Sequence, residues 1–228
     1  MSEVSIALNR FGLGGRRTEA APADPRGWLV GQIARFDPRP AALSDRPSSA
    51  AATRELVTTI QDIRQALQTP AAQRSAEMAS MNATDGLPEP VVRRFRAGRD
   101  IYYGDVGRRG RLALTSATPF VERMVHFWAN HFTVSVAKPV IAPVAGPFEF
   151  DAIRPHVTGT FAQILKAAAL HPAMLCYLDQ FQSIGPNSRA TQLLGRRGAA
   201  NGQPRGLNDN LAREILELHT LGVGGHPA

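Results

Sequence analysis

Residues 206–222 read GLNDNLAREILELHTLG and pack amides, four charged side chains and a histidine into one helix-length run. Asn208 or Asp209 serves as an N-cap whose side-chain oxygen takes an orphan N–H of the first turn. Gly222 is a left-handed stop after Leu221. At about 100° per residue, Leu207, Leu211, Ile215, Leu218 and Leu221 share one broad apolar arc, with Asp209, Asn210, Arg213 and Glu217 opposite. Two residues break that division: Glu214 projects between Leu221 and Leu207, and His219 between Ile215 and Ala212. A carboxylate on a buried arc is costly unless it is paired, hydrogen-bonded or metal-bound. Glu214 is therefore either a structural carboxylate tied to an arginine or helix N-terminus, or a catalytic or metal-binding group with a perturbed pKa. His219 reads as a core histidine that gains functional weight from Glu214 and Glu217 beside it.

A second helix has the same duality. In PFVERMVHFWANHFTV (119–134), Thr118 is the cap and Pro119 takes the first helical position. Phe120, Val121, Met124, Val125, Phe127, Trp128 and Phe132 cover more than half its circumference, so the helix is expected to be deeply buried. Glu122, His126 and Asn130 form one narrow polar stripe at i, i+4, i+8, the spacing of an exposed ion pair or of a shared metal or proton. His131 points into the apolar arc.

Composition excludes some classes. There is no run of about 18 apolar residues, hence no membrane span. The N-terminus lacks the basic and apolar regions of a signal peptide, which makes the cytoplasm the default compartment. Cys176 stands alone, so no internal disulfide forms and the thiol is expected to be buried and inert. The net charge of +7 invites a nucleic-acid reading, yet the basic residues are nearly all arginine, with Lys138 and Lys166 the only lysines. The dense cluster runs from Arg93 to Arg111 with Tyr102 and Tyr103 inside it. A solvated helical face explains it better than phosphate binding, because no helix-turn-helix, zinc-finger or RNP-type pattern accompanies it.

The rest of the chain reads as helices and proline-broken connectors. Residues 3–10 form a short helix, and the GLGG after it is a turn. Residues 25–36 form another with Trp28, Leu29, Ile33 and Phe36 inside, and Ser48 or Ser49 caps a third running to about Leu67. Residues 71–83 are weakly helical. The span 91–115 is helical, with breaks expected at Gly98, Gly104, Gly107 and Gly110. Residues 134–147 are extended or loop, and 148–156 return to helix. Thr160 and Gln163 make a capping box, His171-Pro172 interrupts the chain, and 185–206 is a long loop with a helical hint at 191–194. The expected fold is all-α: an irregular multi-helix bundle with no substantial sheet. Residues 1–228 form one helical domain with a weak boundary near 84–90.

Five blocks, ALNRFGLG (7–14), ERMVHFWANHFTVS (122–135), IRPHVTGTF (153–161), HPAMLCYLDQ (171–180) and NDNLAREILELHTLGV (208–223), resemble in this order a bacterial family of unknown function, number 1800. Its signatures read approximately FW-x-NHF, HPAML-x-YLD and NENYARELLELHTLGV. Here Asp209 stands for Glu, Leu211 for Tyr and Gln180 for Asn. Family members look about twice as long and continue with a segment beginning roughly GGYTQ, so the chain resembles their N-terminal half. The resemblance implies a mostly helical fold and no established activity, substrate or cofactor.

Two functions stand open on these residues. One is a hydrolase-type enzyme using Glu214, Glu217, His219, His131 and, as a polarising amide, Asn210 or Asn130, with or without a divalent metal. The other is a non-catalytic module whose buried polar network fixes helix packing, with a protein partner or the missing C-terminal half beside it. No serine or cysteine occupies a nucleophile context. The helices of 206–222 and 119–133 are expected to pack on each other or on 160–180, bringing Glu214, His219 and His131 into one dry interior.

Overall fold

The computed structural model describes residues 2–15, 20–66, 88–189, 191 and 206–222, and among these there is no strand. The all-α expectation holds. In chain order the helices are α1 (Glu3–Ile6), α2 (Pro25–Arg35), α3 (Ser49–Ala66), α4 (Glu89–Thr115), α5 (Pro119–His131), α6 (Ala142–Pro147), α7 (Phe161–Leu170), α8 (Pro172–Tyr177) and α9 (Asn210–Glu214). Three run on into wider π-helical turns: α1 into Ala7–Phe11, α6 into Phe148–Ile153 and α9 into Ile215–Thr220. Among the described residues no helix is long and apolar enough to cross a membrane. The 71–83 reading, residues 84–87 of the boundary and nearly all of 191–194 lie outside the described residues.

Local chemistry sets the starts. Asp24 accepts the Gly27 N–H at 3.0 Å, and the Thr160–Gln163 capping box forms with both of its bonds. At the far end of α9's extension, Gly222 adopts φ +82°, the left-handed stop its position asks for.

The core is built around α6 and its π-turn. Ile141, Val144, Phe148 and Ile153 are fully enclosed by Ala52 and Leu56 of α3, Phe132 at the end of α5, Ile164 and Ala168 of α7, and Ala173, Met174 and Cys176 of α8. Cys176 is buried, and burial pushes its thiol up, as an inert core cysteine requires. Lys138 donates to the Cys176 carbonyl at 2.8 Å and to Asp179 at 2.6 Å, closing the open end of α8.

Four expectations change. First, α4 is one unbroken 27-residue helix despite its glycines. A glycine costs about 1 kcal/mol in a helix, and the packing of α4 along α6 outweighs that; at Gly98 a Cβ would stand 3.0 Å from Pro143, so the close approach needs the missing side chain. Second, residues 139–147 are helical rather than extended, because Pro139 and Pro143 sit in the first turns of their elements, where a missing N–H costs nothing. Third, α2 buries Gln32 and leaves Ile33 half exposed; Gln32 Oε1 accepts the Phe120 N–H at 2.7 Å, satisfying an otherwise orphan donor of α5. Fourth, the stripe that looked solvent-facing on α5 begins inside the protein, with Glu122 1% exposed, while Phe127 is 56% exposed.

Candidate functional site

Of the residues singled out in the sequence, His131 and His219 meet. Their ring centroids are 6.0 Å apart, and His131 Nε2 donates to the His219 carbonyl at 3.2 Å. Phe132 lies edge-on to both rings, at 4.7 and 5.1 Å. His219 is buried as its position on the arc predicted; burial lowers its pKa and His131 adds to the effect. The carboxylates do not complete the cluster. Glu217 pairs with Arg213 at 3.5 Å, Glu214 is half-buried, and neither Glu214 nor Asn210 bonds to either imidazole. Among the described residues no three His, Cys, Asp or Glu side chains stand close enough to hold a metal ion. His171 takes a separate structural post, capping α8 through Nδ1 and the Ala173 N–H at 3.1 Å.

A different set of polar groups converges in a cleft of about 390 Å³ between α4 and residues 129–150. Tyr102, Asp105 and Arg109 come from α4 at i, i+3, i+7, one helical face. Asn130 enters from the end of α5, so the NHF signature contributes its amide here and its histidine to the cluster above. Glu149 comes from the π-turn after α6, between Phe148 and Phe150, each 2% exposed. Arg109 Nε lies 2.8 Å from both carboxylate oxygens of Glu149. Burial raises the Glu149 carboxyl above the usual carboxylate range, and Arg109 offsets this only in part.

Asp105, in the same wall, is also raised by burial, against the pull of Arg108 at 3.2 Å. Its carboxylate lies where a Cβ on Gly146 would be, so this glycine is the reason the side chain fits between α4 and α6. On the far side of Glu149, Glu122 and Arg154 form a doubly bonded buried pair at 2.6 and 2.7 Å, with the guanidinium 4.7 Å over the Phe36 ring. The Arg154 guanidinium is thus committed to Glu122. His126 stands near this pair and Arg109, and burial with the Arg109 charge lowers its pKa.

Glu149, Arg109 and Asp105 did not stand out in the sequence. The signal available was a carboxylate inside an apolar run, PFEFDAI (147–153), facing an arginine cluster that looked merely solvated. Part of that cluster is instead engaged: Arg94 bonds Glu55 and Asp62 of α3, and Arg108 bonds Asp45 and Asp105.

Fold and cleft together define an all-helical protein with a half-buried, arginine-held carboxyl in the wall of a cleft beside α4. The chain belongs to the family described as Protein of unknown function (DUF1800), which it matches over residues 6–226. No curated protein and no solved structure matches it.

Proposed function

We propose that the α4 cleft is a hydrolytic site in which Glu149 is the acid–base group, with Arg109 and Asn130 orienting a polar substrate. One observation carries this reading: a carboxyl whose pKa is raised by burial stands in the wall of a cleft of about 390 Å³, paired with Arg109. A carboxyl shifted toward neutral pH can protonate a leaving group and, once ionised, take a proton from water. Water is the nucleophile in this scheme. Ser135, one of the hydroxyls lining the cleft, already accepts the Ala137 N–H at 3.2 Å. The acid–base role passes from Glu214 and Glu217 to Glu149, and of the two amide candidates, Asn210 and Asn130, the role falls to Asn130.

The test is a panel of chromogenic carboxylic, phosphoric and glycosidic esters hydrolysed by wild type and Glu149→Gln. Loss of an acid–base group lowers turnover by roughly 10²- to 10⁴-fold, with the far-ultraviolet circular dichroism unchanged. Arg109→Ala removes the charge that lowers the Glu149 pKa, so the pH–rate limb belonging to that group moves to higher pH. Turnover that survives Glu149→Gln would overturn the proposal.

The second reading, a non-catalytic helical module with a protein partner, is favoured by the exposure of Leu207, Leu216, Leu218 and Leu221 around α9. A panel silent in every substrate class leaves that reading ahead.

A further inference from the structure

The face of α4 that reaches Glu149 continues past it. Val92, Phe95, Arg96, Arg99, Tyr102 and Tyr103 recur at helical spacing and line a second compartment of about 490 Å³. It shares Tyr102 and Val136 with the Glu149 cleft, so the two compartments adjoin. The floor is apolar, formed by Val92, Phe95 and the opposing Pro139 and Ala142. Among the described residues, the only charged side chains lining it are Arg96 and Arg99.

These two arginines differ from the three on the same helix that are held by carboxylates. Arg94, Arg108 and Arg109 are each bonded to carboxylates. Arg99 has no carboxylate within ion-pair reach among the described residues, and Arg96 has only Glu89 at 4.0 Å, both side chains more than 60% exposed. A pair that loose and solvated holds Arg96 weakly. The Tyr102 and Tyr103 rings stand 5.7 Å apart at 48°, an open aromatic wedge beside the two guanidinium groups. Two planar forks one helical turn apart suit a group with several acceptor oxygens and a double charge. The aromatic wedge and apolar floor suit a flat ring attached to it.

We infer that this compartment binds the phosphate and ring of an aryl or nucleoside phosphate, and that the ligand extends past Tyr102 toward Glu149. The inference names the substrate class of the site proposed above and rests on that reading for its link to hydrolysis. The binding itself rests only on Arg96, Arg99 and the tyrosines.

Isothermal titration calorimetry with 4-nitrophenyl phosphate, adenosine 5′-monophosphate, adenosine and inorganic phosphate separates the contributions. The two ring phosphates bind, while adenosine and inorganic phosphate bind at least tenfold more weakly. Arg99→Gln and Arg96→Gln each weaken the ring phosphates about tenfold or more, as the loss of a charge-assisted hydrogen bond demands, and Tyr102→Ala weakens them while Tyr102→Phe does not. Both arginines are exposed, so the variants keep the wild-type circular dichroism. Inorganic phosphate binding as tightly as the ring phosphates, or Arg99→Gln and Arg96→Gln leaving affinity unchanged, overturns the inference. So does an oligonucleotide that binds far more tightly than the mononucleotide, which would make the face a nucleic-acid surface.

Glu149→Gln separates the two proposals, since it retains the phosphate ligands while removing turnover. Binding that depends on Arg99 in a protein whose turnover ignores Glu149 sustains this inference and sinks the hydrolytic reading. Turnover that needs Glu149 with no affinity for ring phosphates does the reverse.

Discussion

His171 uses its two ring nitrogens for different ends. Nδ1 caps α8, while Nε2 lies buried without a hydrogen-bond partner among the described residues, and the ring packs on Phe148 at 5.4 Å. Burial holds its pKa at about 4, against an ordinary 6.5, with the Asp151 charge opposing the shift. Because the folded value is the lower one, the unfolded chain takes up the proton first. The stability from a neutral His171 is therefore complete above pH 6.5 and is lost as pH falls toward 4. The gap corresponds to about 3 kcal/mol. His171→Asn keeps a capping oxygen for the Ala173 N–H and cannot titrate. Urea denaturation at pH 7 and pH 4 should show the variant starting lower, for the lost ring packing, but losing about 3 kcal/mol less on acidification; equal losses would refute the assignment. Glu149 has the opposite sign. Its folded pKa is raised, so the stability it contributes is present below its ordinary 4.5 and is lost as pH rises through the raised value. Glu149→Gln should then unfold at no lower a urea concentration than wild type at pH 8, which distinguishes a lost catalytic group from a damaged fold.

Elements in this protein are specified by where their backbones must approach one another. Along α4, Gly98 and Gly146's partner Asp105 mark the contact with α6, whereas Gly107 has nothing within 4 Å of the Cβ it lacks. Gly107→Ala should stabilise the protein by about 0.5–1 kcal/mol through the unfolded chain and helix propensity. Gly146→Ala should cost roughly 1–3 kcal/mol, since the new methyl overlaps the buried Asp105 carboxylate and α6 must shift. Thermal melts of the two variants moving in the same direction would break this account. The contrast also explains what the sequence could and could not convey. Caps and stops are chemistry within three or four residues, so Thr160, Gln163 and Gly222 were readable. The α4 glycines were not, because whether a glycine breaks a helix or lets another backbone approach depends on the facing element. The π-turns were equally hidden. In Ile215–Thr220 the Leu221 N–H bonds back to Leu216, each residue turns through less than the α-helical angle, and the arc drawn at 100° no longer holds. His219 still lands inside, but Leu218 and Leu221 are both 56% exposed.

At the scale of the molecule, the polar groups inside decide how the helices meet. The α9 run is tied to the rest through the His131–His219 contact, through Asn208 Nδ2 donating to the Leu178 carbonyl at 3.0 Å, and through Leu211 against the core. It therefore touches both α5 and the end of α8, as its apolar arc suggested, without being enclosed by them. Glu122 and Arg154 do far more. Their two bonds, with Arg154 Nη2 also donating to the Asp37 carbonyl at 3.3 Å, join α5, the turn after the π-helix and the chain leaving α2. At i, i+4, i+8 with His126 and Asn130, Glu122 was indistinguishable in sequence from a surface residue, because its partner lies 32 positions away. Removing one member leaves a bare buried charge, so Glu122→Ala should cost about 3–5 kcal/mol. Replacing both with apolar residues of similar volume, Glu122→Leu with Arg154→Met, removes the desolvation penalty of two ions along with their attraction, and should come within about 2 kcal/mol of wild type. Chemical denaturation of the two singles and the double closes the cycle. If the pair serves only stability, the double variant keeps sharp side-chain spectra and wild-type turnover in the Glu149 cleft. If it sets how α5 meets the π-turn that carries Glu149, the double variant folds at near-native stability with broadened near-ultraviolet dichroism and reduced turnover. The second outcome is the one expected, since the charges of Arg154 and Glu122 both act on Glu149, and a stable double variant with full activity would rule it out.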